Sequence, residues 1–136
     1  MVEMEIVYEG DLRCRLRHGP SGAEMATDAP VDNQGKGASF SPTDLLATSL
    51  GACMMTIMGI HARDRGIELK GSRVSVVKEM AADPHRRIGR LSVTFHLPQK
   101  LDPSQREALE EVARGCPVCR SVGGSVQVDR EFVYDQ

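Results

Sequence analysis

The segment Ser41-Pro42-Thr43-Asp44-Leu45-Leu46-Ala47-Thr48-Ser49-Leu50-Gly51-Ala52-Cys53-Met54 reads as the first half of a long helix around which the chain is organised. Ser41 is a suitable N-cap, Pro42 suits the first helical position, and Asp44 falls where a carboxylate meets the positive end of the helix dipole. The pattern continues through Ile57, Met58 and Ile60, with His61, Arg63 and Arg65 in the last turns and Gly66 as the stop. Apolar or small residues cover almost the whole circumference between 45 and 60, as in a helix buried on most sides. A chain of 136 residues can hardly surround such a helix alone, so a partner subunit is expected to wrap it. The uninterrupted apolar part, Leu45 to Ile60, is broken by Thr48, Ser49 and Thr56. It falls short of the roughly 20 residues a membrane helix needs, so a core helix is expected and no membrane partner.

Outward from this helix, the flanks read as strands. Residues 2–8, 12–17 and 23–27 form a three-stranded meander, the second strand setting Leu12, Cys14 and Leu16 against Arg13, Arg15 and Arg17. Residues 28–40, rich in Gly, Asp and Asn, form a loop. After the helix come strands at about 69–80 and 88–97, the second alternating Leu91, Val93, Phe95 and Leu97 with polar residues. Asp102 or Ser104 caps a second helix that ends near Arg114. Cys116 and Pro117 open a short third helix, and residues 125–134 close the chain as a strand. The order β-β-β-α-β-β-α-α-β predicts an α+β fold in one domain, residues 1–136, with antiparallel sheet and helices grouped to one side.

Composition narrows the function. The chain has 17 basic and 19 acidic residues, dispersed, which gives no reason to expect a nucleic-acid partner. Tryptophan is absent and aromatics are 4%, so the core must be aliphatic. Residues 1–6 show neither a basic n-region nor an apolar h-region, so the expected compartment is the reducing cytoplasm. There, four cysteines are expected to be catalytic, ligating or inert rather than structural disulfides.

Cys14, on the apolar side of a strand, reads as a small buried hydrophobe. Cys116-Pro117-Val118-Cys119 places a thiol at a helix N-terminus, where unpaired N–H groups stabilise a thiolate. A thioredoxin-like site would need this motif after the first strand of a βαβ unit, which is missing here. A structural zinc would need about four ligands, and His18, His61, His85 and His96 are scattered. A thiol-redox site that shares a further cysteine remains, and Cys53 is the candidate. His61, two turns further along the same helix, reads as a dipole partner rather than a base.

Residues 41–54 together with Cys116-Pro117-Val118-Cys119 resemble the OsmC/Ohr family, the osmotically inducible protein C-like and organic hydroperoxide resistance proteins. The shared pattern is Ser/Asn-Pro, a nearby acidic residue, aliphatics, a small-residue segment and Gly/Ala-Ala/Gly-Cys, followed late in the chain by Cys-Pro-x-Ser/Cys. Element order and spacing match from the first strand to Tyr134. The resemblance implies an intertwined homodimer with the long helices packed together and two sites at the subunit interface. It implies thiol-dependent reduction of organic hydroperoxides in oxidative-stress defence. Cys53 would be the peroxidatic thiol and Cys116 the resolving one. An external dithiol, such as a lipoyl group, would be the reductant, with no metal, haem or flavin. Leu50, Met54 and Met55 would line an apolar pocket.

The chain departs from the peroxidase pattern in one respect. Those members carry a Glu directly after the proline, holding an Arg against the thiolate. Here that position is Thr43, and the acidic residue is Asp44, a weaker candidate for the role. Loop 28–40 has no Arg and only Lys36, and nothing selects among Arg13, Arg15 and Arg17. The resemblance is thus to the less characterised OsmC-like branch. The alternative is a non-peroxidase module that binds a small apolar ligand or carries persulfide at Cys116 and Cys119. Cys119, where many members have Ser, is either an alternative resolving thiol or a protector of Cys116.

Overall fold

The computed structural model describes all 136 residues. They gather into two compact units, Met1–Leu46 and Ala47–Gln136.

The first unit is the expected meander. Strands β1 (Met4–Gly10), β2 (Arg13–His18) and β3 (Glu24–Asp28) pair antiparallel in that order. Gly10 pairs with Arg13 across a two-residue turn, and both turn residues, Asp11 and Leu12, have positive φ of 52° and 63°. That backbone matches the twist of the flanking strands. It removes Leu12 from the strand face on which alternation had placed it, leaving Cys14 and Leu16 half-buried. β1 is the outer strand, and Ile6, Val7 and Tyr8 are all exposed, so both of its faces are bare. The loop after β3 is pinned by Asp28, a buried carboxylate that accepts from the backbone N–H of Ala38 at 2.9 Å. Ser39 adds a hydroxyl bond to the carbonyl of Ala26.

Helix α1 spans Pro42–Arg63. Its start is a reciprocal cap: the Asp44 N–H donates to Ser41 Oγ at 3.0 Å, and the Ser41 N–H donates to Asp44 Oδ2 at 2.9 Å. The helix ends at Arg63, within the limit that Gly66 set, and extends beyond its apolar stretch at both ends. At 22 residues, with a mean hydropathy of 1.5 over its most apolar window, it is long and apolar enough to cross a membrane by length and composition alone. Its packing is that of a core helix. Ala47, Leu50, Gly51, Met54, Met58 and Ala62 are buried at helical spacing, on one face. Burial stops there: Ser49, Ala52, Thr56 and Ile60 form an uncharged exposed stripe, so within one chain the helix is covered on one side and not on most sides.

The second unit holds β4 (Arg73–Ala81), β5 (Arg87–His96) and β6 (Gln127–Val133), with β5 central. β4 and β5 are antiparallel, but β5 and β6 run parallel, with Val93 opposite Arg130 and Phe95 opposite Phe132. The expected all-antiparallel arrangement therefore gives way to a mixed sheet. The reason lies between the strands, where α2 (Pro103–Arg114) and α3 (Pro117–Ser121) supply a crossover long enough to carry the chain back to the starting end of β5. α2 begins with a capping box between Asp102 and Gln105. The core joins Leu50, Met54 and Met58 of α1, Leu91, Val93 and Phe95 of β5, and Leu109 and Ala113 of α2. Each fully buried Leu, Met or Phe there contributes about 2 kcal/mol relative to exposure. Gly51 lets α1 sit directly on β4, since a Cβ at that position would lie 2.8 Å from Val76 Cγ2 and 3.2 Å from Val74 Cγ1.

A three-sulfur site beside an arginine

Three of the four cysteines converge in the second unit, Cys53 from α1 and Cys116 and Cys119 from the start of α3. Cys53 sits on α1 between Leu50 and Met54, half-buried against the core, seven residues before exposed Ile60 and hence on the same line of the helix. Cys116 follows α2 and is the N-cap of α3, fully buried, with its Sγ accepting from the Cys119 N–H at 3.2 Å. Cys53 lies near enough to Cys116 to raise its pKa, and all four cysteines are free thiols. Cys119 is one turn along α3 and accepts at Sγ from Arg130 Nη2 at 2.8 Å.

Burial pushes the Cys116 thiol above its ordinary pKa; the backbone bond from Cys119 opposes this, and the proximity and like charge of Cys53, with the charge of Cys119, reinforce it. The arrangement brings three sulfurs together with a permanent cation beside Cys119.

Arg130 was not among the sequence candidates, yet the sequence carries a signal for it. Val126, Val128, Arg130, Phe132 and Tyr134 share one face of β6 at period two, and the four apolar or aromatic members pack against the core. A single charge in such a series is out of pattern. β6 is held by neighbours of Arg130: Phe132 stacks on Phe95 with ring centroids 4.8 Å apart, and Tyr134 donates to Glu110 at 2.8 Å with Arg106 4.1 Å above its ring. Burial and the Glu110 acceptor push the Tyr134 hydroxyl well above the usual tyrosine range.

The other candidates have settled places. Asp44 serves the α1 cap, with Thr43 Oγ1 3.1 Å from Ser41 Oγ. Arg13, Arg15 and Arg17 stand on β2 in the first unit, where Arg15 meets Glu9 at 3.9 Å in an exposed pair of small energetic weight. Lys36 lies in the loop after β3. Cys14, also on β2, pairs across the sheet with Tyr8 and Thr27. His61 is half-buried in the last turn of α1. Leu50 and Met54 are fully buried core residues rather than pocket lining, and only Met55 of the three keeps exposure. A cavity of about 460 Å³ beside Ala62, Ile67 and Leu69, and another of about 650 Å³ beside Met80, Arg87 and Gln127, contain no cysteine.

Residues 35–131 match the family model for OsmC-like protein, and the chain belongs to that family. It is similar, at 45% identity and a TM-score of 0.92, to a protein of Psychrobacter arcticus 273-4 provisionally assigned to the osmotic-stress and detoxification response, with 97% of this chain and 96% of that one covered. The fold also matches an organic hydroperoxide resistance protein OsmC from Legionella pneumophila, at 18% identity and a TM-score of 0.78, covering 98% and 96% of the two chains. The organic hydroperoxide resistance protein OhrB of Bacillus subtilis matches at 18% identity and a TM-score of 0.68, with 97% of each chain covered. No curated protein matches the sequence.

Proposed function

We propose that this protein is a thiol-dependent peroxidase that reduces organic hydroperoxides in defence against oxidative stress, with Cys53 as the peroxidatic thiol and Cys116 as the resolving one. The observation that carries the reading is the convergence of these two free thiols, Cys53 half-buried on the core helix and Cys116 buried at the start of α3, near enough for Cys53 to raise the Cys116 pKa. The Cys53 thiolate attacks the terminal peroxide oxygen, the O–O bond breaks, and the alcohol leaves after taking a proton. Cys53 is then a sulfenic acid. Cys116 displaces its hydroxyl as water and forms the Cys53–Cys116 disulfide. A dithiol reductant returns both sulfurs to thiols by exchange. Sulfur carries both electrons through the cycle. Two fold relatives are named as organic hydroperoxide resistance proteins, which supports the substrate class.

A homodimer accompanies this reading. The exposed stripe of α1 carries no charge, and Ile60 on it lies in line with Cys53. A second copy packed there would exclude water beside the peroxidatic sulfur and supply the apolar lining that one chain lacks. A cytoplasmic location suits a thiol that must be re-reduced after every turnover.

The test is consumption of cumene hydroperoxide with dihydrolipoate as reductant. The wild type turns over. Cys53→Ser does not, and Cys116→Ser stops after a single turnover with a trappable sulfenic acid. A wild type with titratable thiols and no turnover would assign the site to non-peroxidase thiol chemistry.

A further inference from the structure

Arg130 has no carboxylate partner. Its side chain is half-buried on the core-facing side of β6, its Nε is buried without a hydrogen-bond partner, and its Nη2 points at Cys119 Sγ. A guanidinium is always charged, and leaving one partly desolvated without a counter-ion is costly. The group at its tip is a sulfur, which becomes an anion when it acts as a nucleophile. The charge-assisted contact is therefore worth most in the state in which Cys119 attacks. Cys119 in turn donates its own N–H to Cys116 Sγ, which holds the two cysteines of the C-x-x-C together at the start of α3.

We propose that Cys119 is a third redox thiol that takes over the disulfide from Cys53, with Arg130 as the cation that supports its attack. The inference rests on the peroxidase reading for the oxidant that first joins Cys53 to Cys116. Cys119 Sγ, as thiolate, attacks Cys116 Sγ. The Cys116–Cys119 bond forms, the Cys53–Cys116 bond breaks, and Cys53 leaves with the electron pair as a thiolate. The proton lost by Cys119 passes to solvent. No net oxidation or reduction occurs: the disulfide moves from a link between α1 and α3 to a link within α3 and its cap. Cys53 is then free to meet the next hydroperoxide, and the external dithiol reduces the Cys116–Cys119 bond. This assigns a function to Cys119 and to a half-buried cation that has no carboxylate partner.

The sequence makes the transfer directly readable. Trypsin releases Cys53 within residues 37–63 and releases Cys116 and Cys119 together within residues 115–120. The first disulfide therefore links two peptides, and the second lightens one peptide by two hydrogens. The full-length protein is reduced, mixed with one equivalent of cumene hydroperoxide, acid-quenched at intervals, alkylated and digested. In the wild type the linked pair appears first and gives way to the internal disulfide of 115–120, with Cys53 recovered as thiol. Cys119→Ser stops at the linked pair. Arg130→Gln slows the transfer roughly tenfold or more, the scale of a lost hydrogen bond to a charged group, and Arg130→Lys restores most of it. A linked pair that persists in the wild type, or transfer as fast in Arg130→Gln, overturns the proposal. A parallel run with diamide separates the two readings. Transfer after diamide but no thiol loss with hydroperoxide would remove the peroxidase and keep the relay. A linked pair that forms with hydroperoxide and stays would do the reverse. Absence of the linked pair under both oxidants removes both.

Discussion

At the scale of single residues, Cys116 is the centre of the site. Cys53 and Cys119 both lie near it, and burial holds its thiol above the ordinary range. The sign of the pH dependence follows. Resolution of a Cys53 sulfenic acid needs the Cys116 thiolate, which is scarce at neutral pH and increases as pH rises towards the raised pKa. The rate of disulfide formation in a single turnover should climb steadily between about pH 6 and pH 8, both below the ordinary thiol range. Dimedone trapping against time reads it, and a flat profile would exclude Cys116 as the attacking group. The same shift makes the folded state favour the neutral thiol, so its contribution to stability is present below the unfolded-state pKa and lost as pH rises through the folded one. The thiols themselves were legible in the sequence because cysteine is chemically conspicuous. Arg130 was legible only through its position in an alternating strand, and Leu12 was misplaced because a two-residue turn with positive φ leaves little trace when Gly is not at its centre.

Among the secondary-structure elements, α1 was the most readable, since Ser41, Pro42 and Asp44 write a cap in local chemistry that the structure repeats bond for bond. Its seat on β4 depends on Gly51. Alanine in place of glycine favours a helix by about 1 kcal/mol. At Gly51, however, the new methyl meets Val76 Cγ2 at 2.8 Å, and a β-branched neighbour has little rotamer freedom with which to yield. Overpacking of this kind costs about 1–3 kcal/mol, so Gly51→Ala should melt below the wild type. A methyl added at Gly59, on the same helix, would meet nothing within 4 Å. Gly59→Ala should therefore melt higher. Thermal unfolding of the two variants side by side checks the sign at each site. What the local sequence did not disclose was the direction of β6: the alternation of Val126 to Tyr134 is the same whether the strand pairs parallel or antiparallel, and only the crossover decides.

For the whole molecule, the exposed apolar surface is more than one chain needs. Ser49, Ala52, Thr56 and Ile60 leave α1 open along one side, and β1 shows Ile6, Val7 and Tyr8 to solvent. Exposed patches of this sort mark interaction surfaces. Light scattering in solution should give twice the 14.9 kDa chain mass, and Ile60→Lys should shift the population towards the single chain with loss of peroxide turnover. A monomeric wild type would remove the dimer from the proposal. The composition of the helix overstated its burial, since one face of α1 is filled by the chain's own core and the opposite face is exposed.

The parallel pairing of β5 and β6 has a consequence for how this protein tolerates change in length. Connections between strands are ordinarily where insertions and deletions are absorbed. The connection from 97 to 126 instead carries α2, Cys116 and Cys119, and its end sets the register that puts Arg130 beside the last sulfur. One residue added to the short turn at 82–86 lengthens a hairpin. One residue added ahead of Cys116 rotates the sulfur pair away from both Cys53 and Arg130 at once. The spacer between these two strands carries the sulfur cluster itself, and its length determines where those cysteines sit as firmly as the sequence determines their identity.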